Sequence, residues 1–367
     1  MAIECDDLHY SFREIDGYNK PFNFVMSPRE PGKTTAMWFK KIYCNWKKKH
    51  KPWYYLVRYV VEITDTLIDD IANTYINKFS DDNVKLQYKS GDLKGGIVDV
   101  FIEGQIFLRI CALSCKLRKL KLAILQDAEG AFMDEYIIDP STGEKYLQGE
   151  AFKLKEVYTT WRRGYTGTGI FKFYFCANPY SLFNPLFVDW KVEVNQLKRD
   201  SFYVGKFFVI HWAILNPKLR AMLLEKNPFY KFDEDYANYA VEGQATQDAN
   251  IKIGALPEGY KLQFVFLYDK IKIGIYRNYT EDIELDKFYA KEIKNEGYSK
   301  AIYCVDFADM INGSILLGNE DRLRLKIFKN AIRTRQITFE NINLYYILKE
   351  VYSYLWEVTL SFIVTLS

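Results

Sequence analysis

PFNFVMSPREPGKTT, residues 21–35, is the stretch that decides how this chain reads. Residues 21–26 (PFNFVM) have the unbroken apolar and aromatic character of a short buried strand, and a helical pattern runs from about Lys33 to Lys48. Between them lies a Pro- and Gly-interrupted turn that ends in Gly32, Lys33 and Thr34. Strand, loop and helix in that order let backbone N–H groups wrap around phosphates, because unpaired amides and the helix dipole both favour negative charge at a helix N-terminus. Lys33 is then placed for the terminal phosphates and Thr34 for Mg²⁺. Ser27 stands where the pattern GxxxxGK[ST] has its first glycine, and Pro31 removes one amide, so an ordinary turn capped into a helix also fits the loop taken alone.

A second element bears on that choice. GAFMDEYII, residues 130–138, reads as a strand with Asp134 and Glu135 at the end of its apolar run. In a phosphate-loop enzyme the first acid holds Mg²⁺ and the second polarises the attacking water. Paired acids at a strand end are ordinarily a solvated pair, and the upstream loop is what favours the catalytic reading. A carboxylate reserved for water favours hydrolysis over transfer to another acceptor. The other acid, Asp127 after LAILQ, lacks an adjacent carboxylate and is expected to belong to a helix running from CKLRKLK.

Further strands are expected in WYYLVRYV at 53–60 and IFKFYFCAN at 170–178, with hairpins over 84–110. Thr64 or Asp65 can cap a helix running towards Phe79, and another helix is expected over 151–162. This alternation implies an α/β fold with an open parallel sheet and ligands beyond the carboxyl ends of its strands. Residues 216–250 are polar and helix-prone. Beyond them come alternating strands such as KLQFVFLY and KIKIGIY, then helical patterns near 319–333 and 341–355. The expected domains are 1–212, a mostly helical linker or lid at 213–250, and a smaller α+β domain at 251–367.

Composition sets the outer bounds. A chain of 367 residues exceeds the usual size of one hydrophobic core. With 50 Lys and Arg against 47 Asp and Glu, the net charge of +3 gives no global field for nucleic acid, so any such contact must be local. Six scattered cysteines and no secretory signal fit reduced thiols in a cytoplasmic setting. Cys111 and Cys115 lack a second ligand pair at zinc spacing and read as packed thiols. The apolar tail from Leu355 to Leu366 is too short to span a bilayer, so no membrane segment is expected.

The loop SPREPGKTT, with Arg29 ahead of GKT, resembles the deviant phosphate loop of viral terminase and DNA-packaging ATPases. YYLVRY, AFMDEYII, the WRR segment at 161–163, CANPYSLFNP and ITFENINLYYILKEVY extend the likeness, with gaps, over nearly the whole chain to the packaging ATPase of small short-tailed phages. The resemblance implies an additional-strand, catalytic-glutamate ATPase domain followed by a vestigial ribonuclease-H-like domain. It also implies a homo-oligomeric ring, commonly of five subunits. That ring would dock on the portal of an empty capsid in the host cytoplasm and drive double-stranded DNA inward, with ATP hydrolysed between neighbours. By the same likeness, Arg162 enters the adjacent subunit's site, with Arg163 as substitute; a solvent-facing helix end would equally account for both arginines. Asn178 matches a polar sensor of the γ-phosphate, although a turn-forming Asn before Pro179 is also compatible. Arg58 and Arg29 match arginines that contact phosphate or a neighbour, and Ser27, Glu30 and Thr35 complete the nucleotide-binding set.

In the C-terminal region Asp269, Asp306 and Asp309 are available carboxylates without a recognisable metal-binding triad, so no DNA cutting is expected there. KKKHK at 47–51, KLRKLK at 116–121 and DRLRLK at 321–326 are candidate phosphate-gripping clusters, although each also fits a solvated face. The rival readings are another DNA-dependent ATPase, such as a helicase or a chromosome-pumping translocase, and a capsid component that binds nucleotide without hydrolysing it.

Overall fold

In the computed structural model the described residues are 8–139, 142, 144–233, 236–237, 240–243, 251–279, 287–294, 300–304, 307–317 and 325–357. The PFNFVM run forms β1 (Phe22–Met26), buried at every position, as expected of a strand covered on both faces. Around it an eight-stranded sheet is built from β2 (Trp53–Val57), β3 (Ile97–Ile102), β4 (Gln105–Ala112), β5 (Gly130–Asp134), β6 (Lys172–Ala177), β7 (Ser201–Val204) and β8 (Phe208–Trp212). The strand order is β3-β4-β2-β5-β6-β1-β8-β7. The strands from β4 to β8 in that order run parallel, and the edge strands β3 and β7 are antiparallel to their neighbours. β6 therefore lies between β1, which feeds the GKT loop, and β5, which ends in Asp134.

The sheet is bound by aromatic packing. Phe24 and Phe175, on adjacent strands, stack at 4.6 Å between centroids and 15°, an arrangement worth about 0.5–1.5 kcal/mol beyond the area it buries. The helical run after the loop is a turn at Lys33–Thr35, a π-helical stretch at Ala36–Tyr43 and an α-helix at Cys44–Lys49. Widening of a helix to i→i+5 bonding is rare and concentrates at functional sites. A helix at Glu150–Trp161 buries Leu154, Val157 and Trp161, the i, i+3, i+7 spacing of a core-facing stripe.

Three details differ from the sequence reading. The second strand stops at Val57 rather than continuing to residue 60, because the Glu62 carboxylate takes the N–H groups of Arg58 and Tyr59 and turns the chain into a 3₁₀ turn at Val60–Glu62. Asp127 is not helical: the basic helix spans only Leu117–Leu122, and Asp127 has a left-handed φ of 58° and accepts the Thr166 hydroxyl. The hairpin of β7 and β8, which sets β8 beside β1, was not anticipated.

By internal contacts the chain forms two units, Met1–Leu182 with Gln196–Gln247, and Phe183–Asn195 with Asp248–Ser367. The first contains helices Pro217–Lys226 and Phe229–Phe232, with a small core that includes Leu219, Leu223, Tyr230 and Val241. In the second, β9 (Lys252–Ile253), β10 (Lys261–Tyr268), β11 (Ile271–Asn278), β12 (Lys287–Glu292), β13 (Ile302–Cys304), β14 (Ser314–Leu316) and β15 (Ile337–Phe339) form a mixed sheet. Its order is β14-β13-β10-β11-β12-β15-β9. β10, β11 and β12 form an antiparallel meander, and β13 and β14 add parallel to β10. Helices Lys326–Arg333 and Ile342–Glu357 supply Phe328, Leu344 and Val351 to this unit's core. Among the described residues, no helix is long and apolar enough to cross a membrane.

Candidate nucleotide-binding site

The loop leaves β1 with Ser27 fully buried, its N–H donating to the Ala177 carbonyl at 3.2 Å and its hydroxyl to the Pro28 carbonyl at 3.1 Å. Glu30 and Gly32 both adopt left-handed backbone, with φ of 67° and 76°. At Gly32 a Cβ would also meet the His9 ring at 3.2 Å, so conformation and space both select glycine. Tyr10 N–H donates to the Pro31 carbonyl at 2.8 Å, and Ala36 N–H closes the first helical turn on the Gly32 carbonyl at 2.8 Å.

Lys33 is buried, and its ammonium donates to Asn178 Oδ1 at 2.7 Å and to the Pro28 carbonyl at 3.4 Å. Burial lowers its pKa, opposed by the negative charge of Asp134, Cys176 and Glu135. Asp134 ends β5, and its carboxyl is pushed up to about 6, mainly by burial and further by Glu135, against the opposing pull of Lys33 and a hydrogen bond from Thr34. Glu135 is exposed, holds a left-handed φ of 52°, and donates its N–H to Asp134 Oδ1 at 3.1 Å. Non-glycine residues rarely adopt this backbone, and strain of that kind concentrates at functional sites. Lys33, Thr34, Asp134, Glu135 and Asn178, drawn from three separated stretches of sequence, thus share one corner at the carboxyl edge of the sheet.

The remaining expected residues fall into three groups. Arg29 belongs to the corner's rim, donating from Nη2 to Tyr180 Oη at 3.0 Å and from its N–H to the Ala240 carbonyl at 3.0 Å. Glu30 accepts the Tyr230 hydroxyl at 3.5 Å, and Thr35 is half-buried in the first helical turn. Arg58 lies just past β2 and is committed to protein groups: Nε and Nη2 form a buried ion pair with Glu150, while Nη1 and Nη2 reach the carbonyls of Glu135 at 3.4 Å and Tyr136 at 3.0 Å. Arg162 and Arg163 are exposed in the 3₁₀ turn Arg162–Gly164. The helix before them starts at Glu150, beside Arg58, and ends at Trp161, whose ring stacks on Tyr54 near the start of β2 at 3.8 Å. It therefore runs antiparallel to the strands and carries both arginines to the edge away from their own chain's phosphate loop, about 17 Å distant along a five-residue strand.

Sequence reasoning passed over Glu150, Tyr10 and Tyr230. An acid in the first turn of a helix is already explained by the helix dipole, and pairs separated by 92 or 200 residues leave no local signal. In the basic clusters, Lys47 pairs with Asp82 at 2.6 Å, Lys49 with Glu129 at 2.7 Å, and Lys121 with Glu156. In the second unit the Asp309 carboxylate accepts the N–H groups of Asp269 and Lys270 at 2.8 and 3.2 Å, and Asp269 pairs with Lys191 at 3.3 Å. Asp306 lies outside the described residues, as do residues 321–324 of the third basic cluster.

Comparison with known proteins agrees with this arrangement. Two solved structures are similar over nearly the full chain. The Phi-28 gp11 DNA packaging motor has 15% identity and a TM-score of 0.65, over 95% of this chain and 98% of that one. The bacteriophage Phi-29 viral genome packaging motor assembly has 19% identity and a TM-score of 0.63, over 95% and 100%. At these identities the likeness speaks for the fold. No curated protein matches the chain. The pattern of the podovirus DNA encapsidation protein (Gp16) family matches residues 5–355, and the chain belongs to that family.

Proposed function

We propose that this chain is an ATP-hydrolysing motor that translocates double-stranded viral DNA into a preformed capsid, working as a ring docked on the portal. The observation that carries this reading is the convergence of Lys33, Thr34, Asp134, Glu135 and Asn178 at one corner of the sheet. Lys33 neutralises the terminal phosphates, and Asn178, already on the Lys33 ammonium, senses whether the γ-phosphate is present. Glu135 projects towards solvent from its strained turn and orients the attacking water.

The donor set fits Mg²⁺. Thr34 and Asp134 offer hard oxygens already within hydrogen-bond reach of each other, and the raised pKa of Asp134 marks a buried carboxylate short of positive charge. When bound, the ion bridges phosphate oxygens and offsets the charge that develops during transfer. Arg162, or Arg163 beside it, serves the neighbouring subunit's site. Support comes from the exposure of both and from their position at the edge away from their own loop. A guanidinium supplied in trans makes hydrolysis depend on the neighbour's pose.

The position of β6 between β1 and β5 supports assignment to the additional-strand, catalytic-glutamate class of ATPases. The 213–250 segment acts as a lid whose Tyr230 and Ala240 touch the phosphate loop. In the second unit, the meander of β10 to β12 with two strands added parallel to β10 supports a ribonuclease-H-like domain. The use of Asp309 to cap the β10–β11 turn supports a non-cutting role for it. Grip on DNA rests on Lys and Arg contacts to phosphate, and a ring of five subunits is the assembly that the family likeness favours.

The test is ATP turnover with and without double-stranded DNA. The parent should turn over ATP and be stimulated by DNA in a salt-sensitive way. Lys33→Ala should lose nucleotide binding, whereas Glu135→Gln should keep binding and lose turnover. A parent without turnover, or a Glu135→Gln chain that hydrolyses normally, defeats the reading.

A further inference from the structure

At the amino edge of the large sheet, opposite the phosphate loop, lies a cavity of about 310 Å³, near the lower size limit of ligand sites, that the motor chemistry does not use. Its walls carry Asp16, Lys41, Trp53, Tyr165, Lys172 and Tyr174, all within the first unit. The two oxygens of Asp16 are already engaged: Oδ2 accepts from Lys41, and Oδ1 accepts the Tyr174 hydroxyl at 2.6 Å. Lys172 is left with the Asp16 main-chain carbonyl at 3.2 Å and a long approach to Oδ1 at 3.9 Å. Glu129, also on the wall, has its Oε1 taken by Lys49 at 2.7 Å. The trio Asp16, Lys41 and Lys172 therefore carries one uncompensated positive charge. Trp53 is 1% exposed, and its indole N–H, fully buried, has no hydrogen-bond partner among the described residues. Burial also lowers the pKa of Lys41 against the opposing pull of Asp16, so a further negative charge would favour its protonated form.

We propose that this cavity is an oxyanion site, taking a phosphate or carboxylate group of single negative charge between Lys172, Lys41 and the indole N–H of Trp53. One such group restores neutrality and supplies the acceptor the buried indole lacks. The site sits under the loop that carries the exposed arginines. Tyr165, Gly169 and Ile170 line it, and the chain folds back on the Tyr165 ring so closely that a Cβ at Gly167 would lie 2.3 Å from the Tyr165 hydroxyl. An anion seated against Tyr165 therefore bears on the loop that fixes Arg162 and Arg163. The site stands independently of the motor reading; its influence on the trans arginine rests on that reading.

Binding is measured without hydrolysis, in the full chain carrying Lys33→Ala so that the phosphate loop does not compete. The indole N–H resonance of Trp53, assigned by its loss in Trp53→Phe, is followed while inorganic phosphate or acetate is added, with sodium chloride at matched ionic strength as control. A saturable shift with either anion is expected, and which of them binds tells phosphate from carboxylate. Lys172→Gln should weaken binding about tenfold, the loss of one hydrogen bond to a charged group, and Lys172→Arg should largely retain it. A shift no larger than the chloride control, or equal binding by Lys172→Gln, overturns the site. Neither result alters the turnover test, so the two readings fail separately.

Discussion

Arg58 grips Glu150 through two buried hydrogen bonds, Nε to Oε2 at 3.0 Å and Nη2 to Oε1 at 3.1 Å. The same guanidinium holds the carbonyls of Glu135 and Tyr136, so the strained backbone of Glu135 is tied to the first residue of the helix that ends beside Arg162. Removing one partner of a buried ion pair strands the other charge. Glu150→Ala is therefore expected to cost about 3–5 kcal/mol of stability, read by denaturant unfolding. Arg58→Lys should lose the two-pronged geometry, and turnover should fall even where the chain stays folded. A Glu150→Ala chain within 1 kcal/mol or so of the parent would contradict the stated burial of the pair.

The Asn178 contact with the Lys33 ammonium, 2.7 Å, gives a second prediction. Asn178→Asp replaces a neutral acceptor with a carboxylate. The lysine then has an internal counter-ion that competes with the terminal phosphates, so ATP binding should weaken by about tenfold, the equivalent of one pKa unit of interaction. Asn178→Ala should leave affinity closer to the parent and lower kcat instead. Equal KM values for the two variants would argue that Asn178 only shapes the turn before Pro179.

The parts legible in sequence were those with local signatures. The apolar runs of β1, β5 and β6, the GKT turn and the acid pair each announce themselves within ten residues or so. The burial stripe of helix Glu150–Trp161 and the Thr64 cap, which accepts Leu67 N–H at 3.1 Å, were readable for the same reason. The order of strands, the commitment of Arg58 to Glu150 and the cover given to the phosphate loop by Tyr10 and Tyr230 depend on contacts across dozens of residues. The hairpin of β7 and β8 was missed although SFYV and FFVIHW are strand-like, because its role is set by β1, far upstream.

Acid should release the divalent cation. The Asp134 carboxyl is raised from 3.8 to about 6, so ionisation is incomplete below about pH 6 and protons compete with Mg²⁺ there. Apparent Mg²⁺-dependent nucleotide affinity should fall up to about tenfold per pH unit below that point. Stability runs the other way in the nucleotide-free chain. Between pH 3.8 and about 6 the folded state binds more protons than the unfolded one, so stability is lost as pH rises through that window. Asp134→Asn should accordingly stabilise the nucleotide-free protein at pH 7 by on the order of 1 kcal/mol, seen as a higher melting temperature, while abolishing turnover. A lower melting temperature at pH 7 would show that the carboxylate is better compensated than its burial implies.

The separation of the arginines from their own phosphate loop leads to a complementation experiment. Arg162→Ala and Glu135→Gln should each be inactive as uniform assemblies, since every interface then lacks either the guanidinium or the base. In a mixture, an interface that joins the intact Glu135 of one subunit to the intact Arg162 of its neighbour is whole. Random mixing in a closed ring of head-to-tail contacts makes about one interface in four of this kind. Single-turnover hydrolysis by the 1:1 mixture should exceed the mean of the two uniform variants, and Arg163→Ala in place of Arg162→Ala shows which guanidinium is used. No gain on mixing for either arginine, with assembly confirmed by sedimentation, would place the stabilising charge elsewhere than this turn.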